Sequence, residues 1–260
     1  MNIFSYISLV ILSLTGVFLI GLQESWAWAL WGIGVLALLG TSLEFKKNIA
    51  LIYLALAILG LADIGTDTST KHFILLGIPM IGAIAVPYWI SRYVYKDHAI
   101  DFKGLKKKNH ERKYTLILIG VTLLSYFVIP YYMRDTGSYA AWVVEPNIES
   151  MIRLFIGTNS MGFWDELFFI NFIFVILLRF IPFIWANLIQ ATLFSAFLYE
   201  LGFTDWGWIM IFVFAIFQGF IFYKTRSLAY VIRMHLSIDL VLYLAIVHFK
   251  YPVFFNIFVT

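Results

Sequence analysis

Cysteine is absent from the 260 residues of this chain, and charge is scarce. Without cysteine there is no disulfide framework, no thiolate metal site and no cysteine nucleophile. Charged residues make up 13% of the sequence, about half the share usual in a soluble domain, while hydrophobic residues reach 62%. A chain so poor in charge cannot cover a water-facing surface, so lipid must be most of its solvent. The start of the chain also lacks what a signal peptide needs. No basic residue precedes its apolar run, which extends from Ile3 to about Gly21, and no small-residue cleavage site follows. The run reads as a retained first span.

What is present is a series of apolar stretches. A helix needs about 20 residues to cross the hydrocarbon. Runs of that kind fall near 3–22, 26–41, 49–62, 73–93, 114–132, 161–180, 183–200, 206–223 and 228–248. They predict an all-α fold, a polytopic helical membrane bundle of eight or nine transmembrane helices; the lower number applies if the short second and third runs form a hairpin that does not cross. The organisation divides into N-terminal transmembrane helices with a basic loop (1–147) and a helical core carrying the chemistry (148–250).

Lys and Arg placement sets the orientation. With the N-terminus cytoplasmic, most of the 18 basic residues fall in inner loops: Lys46, Lys47, the stretch from Arg92 to Lys113, Arg179, Lys224 and Arg226. The expected location is therefore the plasma membrane of a prokaryote, with the bilayer as the first partner. The Lys96–Lys113 segment reads as a solvated loop able to touch anionic headgroups. Its lysines are not interleaved with aromatics, so nucleic acid is not an expected partner. Trp26, Trp28, Trp31, Trp206 and Trp208 lie near outer edges and fit an aromatic belt. No internal repeat is visible, which disfavours an inverted-repeat transporter using the same carboxylates as a proton relay.

Ionisable residues inside a span cost roughly 2.5–3.5 kcal/mol each on an insertion scale and persist where they pair, face a cavity or act. Asp165 and Glu166 lie together in the sixth span, and His235 and Asp239 in the last. Consecutive residues on a helix point about 100° apart, so one carboxylate can face a reaction centre while the other takes a structural hydrogen bond. His235 and Asp239, four residues apart, share a helix face, where a carboxylate can orient an imidazole. Alternatively, the two groups are a polar staple between helices. Depth sets a condition on any joint site. If the sixth helix begins at 161, Asp165 lies roughly 6 Å below the outer edge and His235 roughly 10 Å above the inner one, too far apart to meet in a core of about 30 Å. The sixth helix is therefore expected to begin near 150 and to absorb Ile152 to Ile156.

These residues carry a resemblance. Residues 155–248 resemble the CPBP family, also called Abi, of intramembrane metalloproteases, best known for the type II CAAX prenyl endopeptidases. That family's pattern is Glu-Glu-x-x-x-Arg on one membrane helix, Phe-x-x-x-His on the next and His-x-x-x-Asn or Asp on a later one. Asp165-Glu166 stands at the first motif, Phe194 at the second and His235-x-x-x-Asp239 at the third, with Thr225-Arg226-Ser227-Leu228 resembling the Thr-Gly-Ser-Leu lead-in to the last helix. Three positions depart. Asp165 replaces a glutamate, Ile170 replaces the arginine, and Leu198 replaces the histidine of the second motif.

The resemblance implies an intramembrane protease hydrolysing a peptide bond of a membrane-associated protein or peptide. Asp165 would be the general base, Glu166 its neighbour and orienter, His235 the oxyanion or metal group, and Asp239 the residue positioning His235. It also implies zinc, for which His235 and Asp165 would be ligands. One histidine with carboxylates is a thin set, since catalytic zinc usually takes three protein ligands. The missing arginine and histidine leave a second expectation: a catalytically impaired relative serving as a membrane binding or bacteriocin-immunity scaffold.

Overall fold

The computed structural model describes residues 1–102, 112–254 and 256–258. The lysine cluster at Lys103, Lys106, Lys107 and Lys108 lies outside the described residues. Among the described residues there are nine longer helical segments, one for each predicted run, and a short 3-10 turn at Ser138–Ala141. α1 is Ile3–Gly21, α2 Ala27–Leu38, α3 Leu43–Leu59, α4 Thr70–Tyr95, α5 Arg112–Thr136, α6 Ile148–Leu177, α7 Phe183–Glu200, α8 Gly207–Thr225 and α9 Leu228–Lys250.

Six of these, α1, α4, α5, α6, α8 and α9, are long and apolar enough to cross a membrane among the described residues. The structure thus supports a polytopic all-α bundle with six candidate spans, fewer than the eight or nine predicted. α2 and α3 have 12 and 17 residues, about 18 Å and 26 Å of helix, and fall short of the core thickness. α7 has 18 residues, but Asn187, Gln190, Thr192, Ser195 and Glu200 dilute its apolar character.

α6 begins at Ile148, much earlier than the 161 suggested by hydropathy. Asn147 sets that start, because its side chain accepts a hydrogen bond from the Ser150 backbone N–H, a partner for one of the unpaired donors of the first turn. The helix therefore takes in Ile152 to Ile156, as the depth argument requires. From Glu166 to Phe174 its turns widen to the π form, which is often found at functional sites.

The widened part of α6 is the centre of the bundle, packed by α4, α7, α8 and α9. Phe168, Phe169, Ile170, Phe172, Ile173 and Phe174 are all buried there. Trp164 stacks on Phe168 at 4.5 Å between centroids and donates its indole N–H to the Met80 carbonyl of α4 at 2.8 Å. Because lipid tails are as apolar as leucine, cohesion here comes from close packing and specific polar contacts rather than from expulsion of water. The N-terminal helices are pinned similarly. Tyr53 of α3 donates its hydroxyl to the Ser8 carbonyl of α1 at 2.7 Å, and Trp31 of α2 donates to the Tyr53 carbonyl at 2.8 Å. At the end of the bundle near Trp142 and Trp206, two loops are tied by a parallel bridge between Asp67 and Val143 and by the hydroxyls of Thr66 and Thr68 donating to the Ala141 and Val143 carbonyls.

Candidate active site

α6 and α9 approach closely, and a glycine makes this possible. A Cβ at Gly162 would collide with the Asp239 carboxylate and stand 3.2 Å from the His235 ring. One turn beyond Gly162, α6 presents Asp165 and Glu166, and α9 presents His235 and Asp239 one turn apart. All four side chains are buried, and the two helices bring them into one cluster. The depth condition is met because α6 starts at Ile148.

The two adjacent acids take different places. Glu166 turns into the protein. Its Oε1 lies 3.0 Å from His235 Nδ1 and also accepts a hydrogen bond from the side-chain amide of Gln218 on α8. Asp165 lines a cavity instead, together with His235 and Asp239, and neither of its oxygens has a hydrogen-bond partner. Glu166 Oε2 and Asp239 Oδ2 are also buried without one. Asp239 Oδ1 lies 3.6 Å from His235 Nε2, within ion-pair reach but beyond hydrogen-bond length. The imidazole is thus held chiefly by Glu166, not by Asp239 as its spacing on α9 suggested.

The cavity measures about 580 Å³ and its lining is almost wholly apolar. Its walls come from α5, α6, α7, α8 and α9, with Trp142, Phe203 and Trp206 towards one end. Leu124 on α5 and Ile209 and Val213 on α8 line it and are exposed, so the cavity opens at the surface between α5 and α8. A space of this size and lining takes an apolar group of ligand size, with the acids and the imidazole as its few polar features.

Phe194 packs its ring 5.8 Å from that of His235, and Phe214 closes on the other side at 5.5 Å. Leu198 lines the cavity, so the missing histidine leaves an apolar patch on the wall facing the cluster. Ile170, at the arginine position, is fully buried. Glu166 is bound instead by Gln218 and His235. Sequence reading missed Gln218, since a neutral amide 52 positions from its partner carries no charge signal; its one trace is a polar residue in an otherwise apolar run.

The cluster offers one histidine, and its Nδ1 is engaged by Glu166. Among the described residues no three His, Cys, Asp or Glu side chains form a group able to hold a metal. What the arrangement offers chemically is a carboxylate free to accept a proton, next to an imidazole of fixed orientation, at the polar end of an apolar cavity.

A sequence model of the family described as type II CAAX prenyl endopeptidase Rce1-like matches residues 147–241. The matched segment runs from the cap of α6 to just past Asp239 and takes in Asp165, Glu166, Leu198 and His235. No curated protein and no solved structure matches the chain.

Proposed function

We propose that the chain is an intramembrane peptidase of the CAAX/Abi type, hydrolysing a peptide bond in a membrane-associated protein or peptide. One observation carries this reading: both unpartnered oxygens of Asp165 stand beside His235 at a cavity that opens between α5 and α8. An apolar part of the substrate enters sideways between α5 and α8 and brings a peptide carbonyl to the cluster. Asp165 takes a proton from water as general base, and the hydroxide attacks the carbonyl carbon. His235, protonated and held at Nδ1 by Glu166, directs Nε2–H at the developing oxyanion. Asp165 then returns its proton to the departing amine, so that one water is consumed and an acid and an amine are released. Gln218 and Glu166 fix the imidazole.

The test is cleavage of a fluorogenic membrane peptide by the purified protein. Asp165→Asn and His235→Ala should each lower the rate by about 10²–10⁴-fold, as expected for loss of a general base or an oxyanion donor. Cleavage that persists in either variant sinks the assignment.

A second reading draws on Leu198. At the wall position where the family places a histidine, this side chain can neither donate nor accept a hydrogen bond, and the loss of one oxyanion donor is worth about 10²–10³ in rate. A scaffold that binds an apolar partner in the same cavity would then lack activity altogether, and substitutions at the cluster would alter only binding and melting temperature.

We further propose that the N-terminus is cytoplasmic, because most Lys and Arg fall in the loops on that side, and that the membrane is a prokaryotic plasma membrane. The native chain has no cysteine, so single cysteines report cleanly. Lys107→Cys should label only in permeabilised cells and Glu145→Cys in intact ones; the reverse pattern inverts the topology.

A further inference from the structure

A second cavity opens at the other end of α6, α7 and α8, away from the acid cluster. It measures about 460 Å³ and combines the guanidinium groups of Arg179 and Arg226 with Tyr223, Phe183, Leu178 and Pro182. Two cations therefore share one recess, and neither has a carboxylate within ion-pair distance among the described residues. Arg179 donates from Nη1 to the Asn48 side chain at 3.1 Å, which fixes its direction and leaves its other N–H groups free. Arg226 lies over the Tyr223 ring at 4.6 Å, a contact that steers the guanidinium without using its donors.

Two features favour an anion there. The first turn of α7 begins at Pro182 on the rim with no side-chain cap, so its N–H groups and the positive end of an 18-residue helix point to the same region. Arg226 is also placed where its backbone is unfavourable: φ is +50°, a left-handed conformation in which glycine costs nothing and arginine costs about 1–2 kcal/mol. Its backbone N–H closes the end of α8 on the Phe222 carbonyl at 2.7 Å, and this turn places the side chain at the cavity. Lys46 and Lys47 at the start of α3, Arg92 late in α4 and Lys224 next to the cavity belong to the same basic end of the bundle.

We infer that this cavity binds the phosphate of an anionic phospholipid headgroup in the leaflet at the basic end of the bundle. Guanidinium forks match phosphate oxygens in pairs, the Leu178, Pro182 and Phe183 side chains offer contact to the glycerol and first methylenes, and basic pockets between membrane helices suit such headgroups. The site is separate from the acid cluster and does not depend on peptidase activity.

The protein, purified in neutral detergent and stripped of lipid, would be titrated with phosphatidylglycerol and with phosphatidylcholine, and retained lipid counted by native mass spectrometry. The wild type should retain phosphatidylglycerol about tenfold better, and Arg226→Gln should remove most of that preference, with Arg226→Lys keeping part of it. Arg226 makes no side-chain hydrogen bond to the protein among the described residues, so its variants should melt as the wild type does without lipid; Arg179→Gln, which also loses the Asn48 contact, serves as the second variant. Equal retention of the two lipids, or an undiminished preference in both glutamine variants, overturns the inference. So does stabilisation by inorganic phosphate that disappears in Arg226→Gln without any lipid preference, since the source would then be soluble phosphate.

Discussion

Two buried polar knots lie within the C-terminal helices, and they are built on different terms. Between α7 and α8, Gln190 donates to Asn187 Oδ1 at 2.8 Å and to the Ala215 carbonyl at 2.9 Å, while Asn187 donates to the Ile216 carbonyl at 2.9 Å. Only Gln190 Oε1 is left over there. Between α6, α8 and α9, the Asp165, Glu166, Gln218, His235 and Asp239 knot leaves four carboxylate oxygens and one amide oxygen unpartnered. An unmet buried acceptor costs about 1–3 kcal/mol, and more when charged. The amide knot spends its groups on helix contacts and acts as glue. The acid knot keeps the acceptors of Asp165 and Asp239 unused at a cavity wall.

The largest effect expected from this contrast separates two neighbours. Glu166→Ala removes the group that holds His235 and Gln218, leaving a buried imidazole without its hydrogen-bond partner. Breaking a buried pair from one side costs about 3–5 kcal/mol, so this variant should melt far lower or fail to fold. Asp165→Asn removes a charge that contacts no hydrogen-bond donor, and its melting temperature should hold or rise while activity disappears. Thermal melts of the two in the same detergent decide the matter. Equal destabilisation would mean that Asp165 is a structural partner like Glu166 and would remove the reason for calling it the base.

An intermediate effect is expected at the glue. Gly219 lies where α8 crosses Asn187, and a Cβ there would collide with the Asn187 side-chain oxygen and stand 3.1 Å from Gln190 Nε2. Gly219→Ala should cost about 1–3 kcal/mol, the usual range for overpacking, with cleavage per folded molecule unchanged. If activity fell together with stability, the two knots would be one coupled unit and the contrast would fail.

The sequence made one knot legible and hid the other for the same physical reason. Charge in a bilayer is expensive enough to stand out, so Asp165, Glu166, His235 and Asp239 could be picked from composition alone. Asn187, Gln190 and Gln218 are neutral, and nothing in their spacing says which carbonyl or carboxylate they meet. Helix positions were legible wherever apolar runs were long. The start of α6 was not legible in the apolar run, because Asn147 and Ser150 set it by capping while Glu149, Arg153 and Asn159 hold hydropathy down over its first turns; the depth of Asp165 against His235 is what placed it near 150. The widened turns from Glu166 onward had no sequence signal at all. The number of crossings also outran what length supports, since α2 and α3 are apolar but short.

The smallest effect comes from a carboxylate outside the membrane, which supplies a baseline for the buried ones. Asp67, in the loop before α4, has both oxygens occupied: Oδ1 accepts from the Ser69 backbone N–H at 2.8 Å and Oδ2 from the Ser69 hydroxyl at 2.9 Å. Those bonds, led by the backbone N–H, hold its carboxyl below the usual aspartate range. A carboxyl lowered by folding adds stability above its unfolded value, near pH 4, and loses that contribution as pH falls through the folded one. The group is partly exposed, so solvent screens most of the effect. Asp67→Asn keeps an acceptor for the Ser69 N–H but not the charge. It should melt slightly below the wild type at neutral pH, by less than Gly219→Ala does, and the gap should close as pH drops below about 4. A gap that stayed constant through that range would show that the loop is held by shape and the Asp67–Val143 bridge, and that a satisfied carboxylate at this surface contributes nothing through its charge.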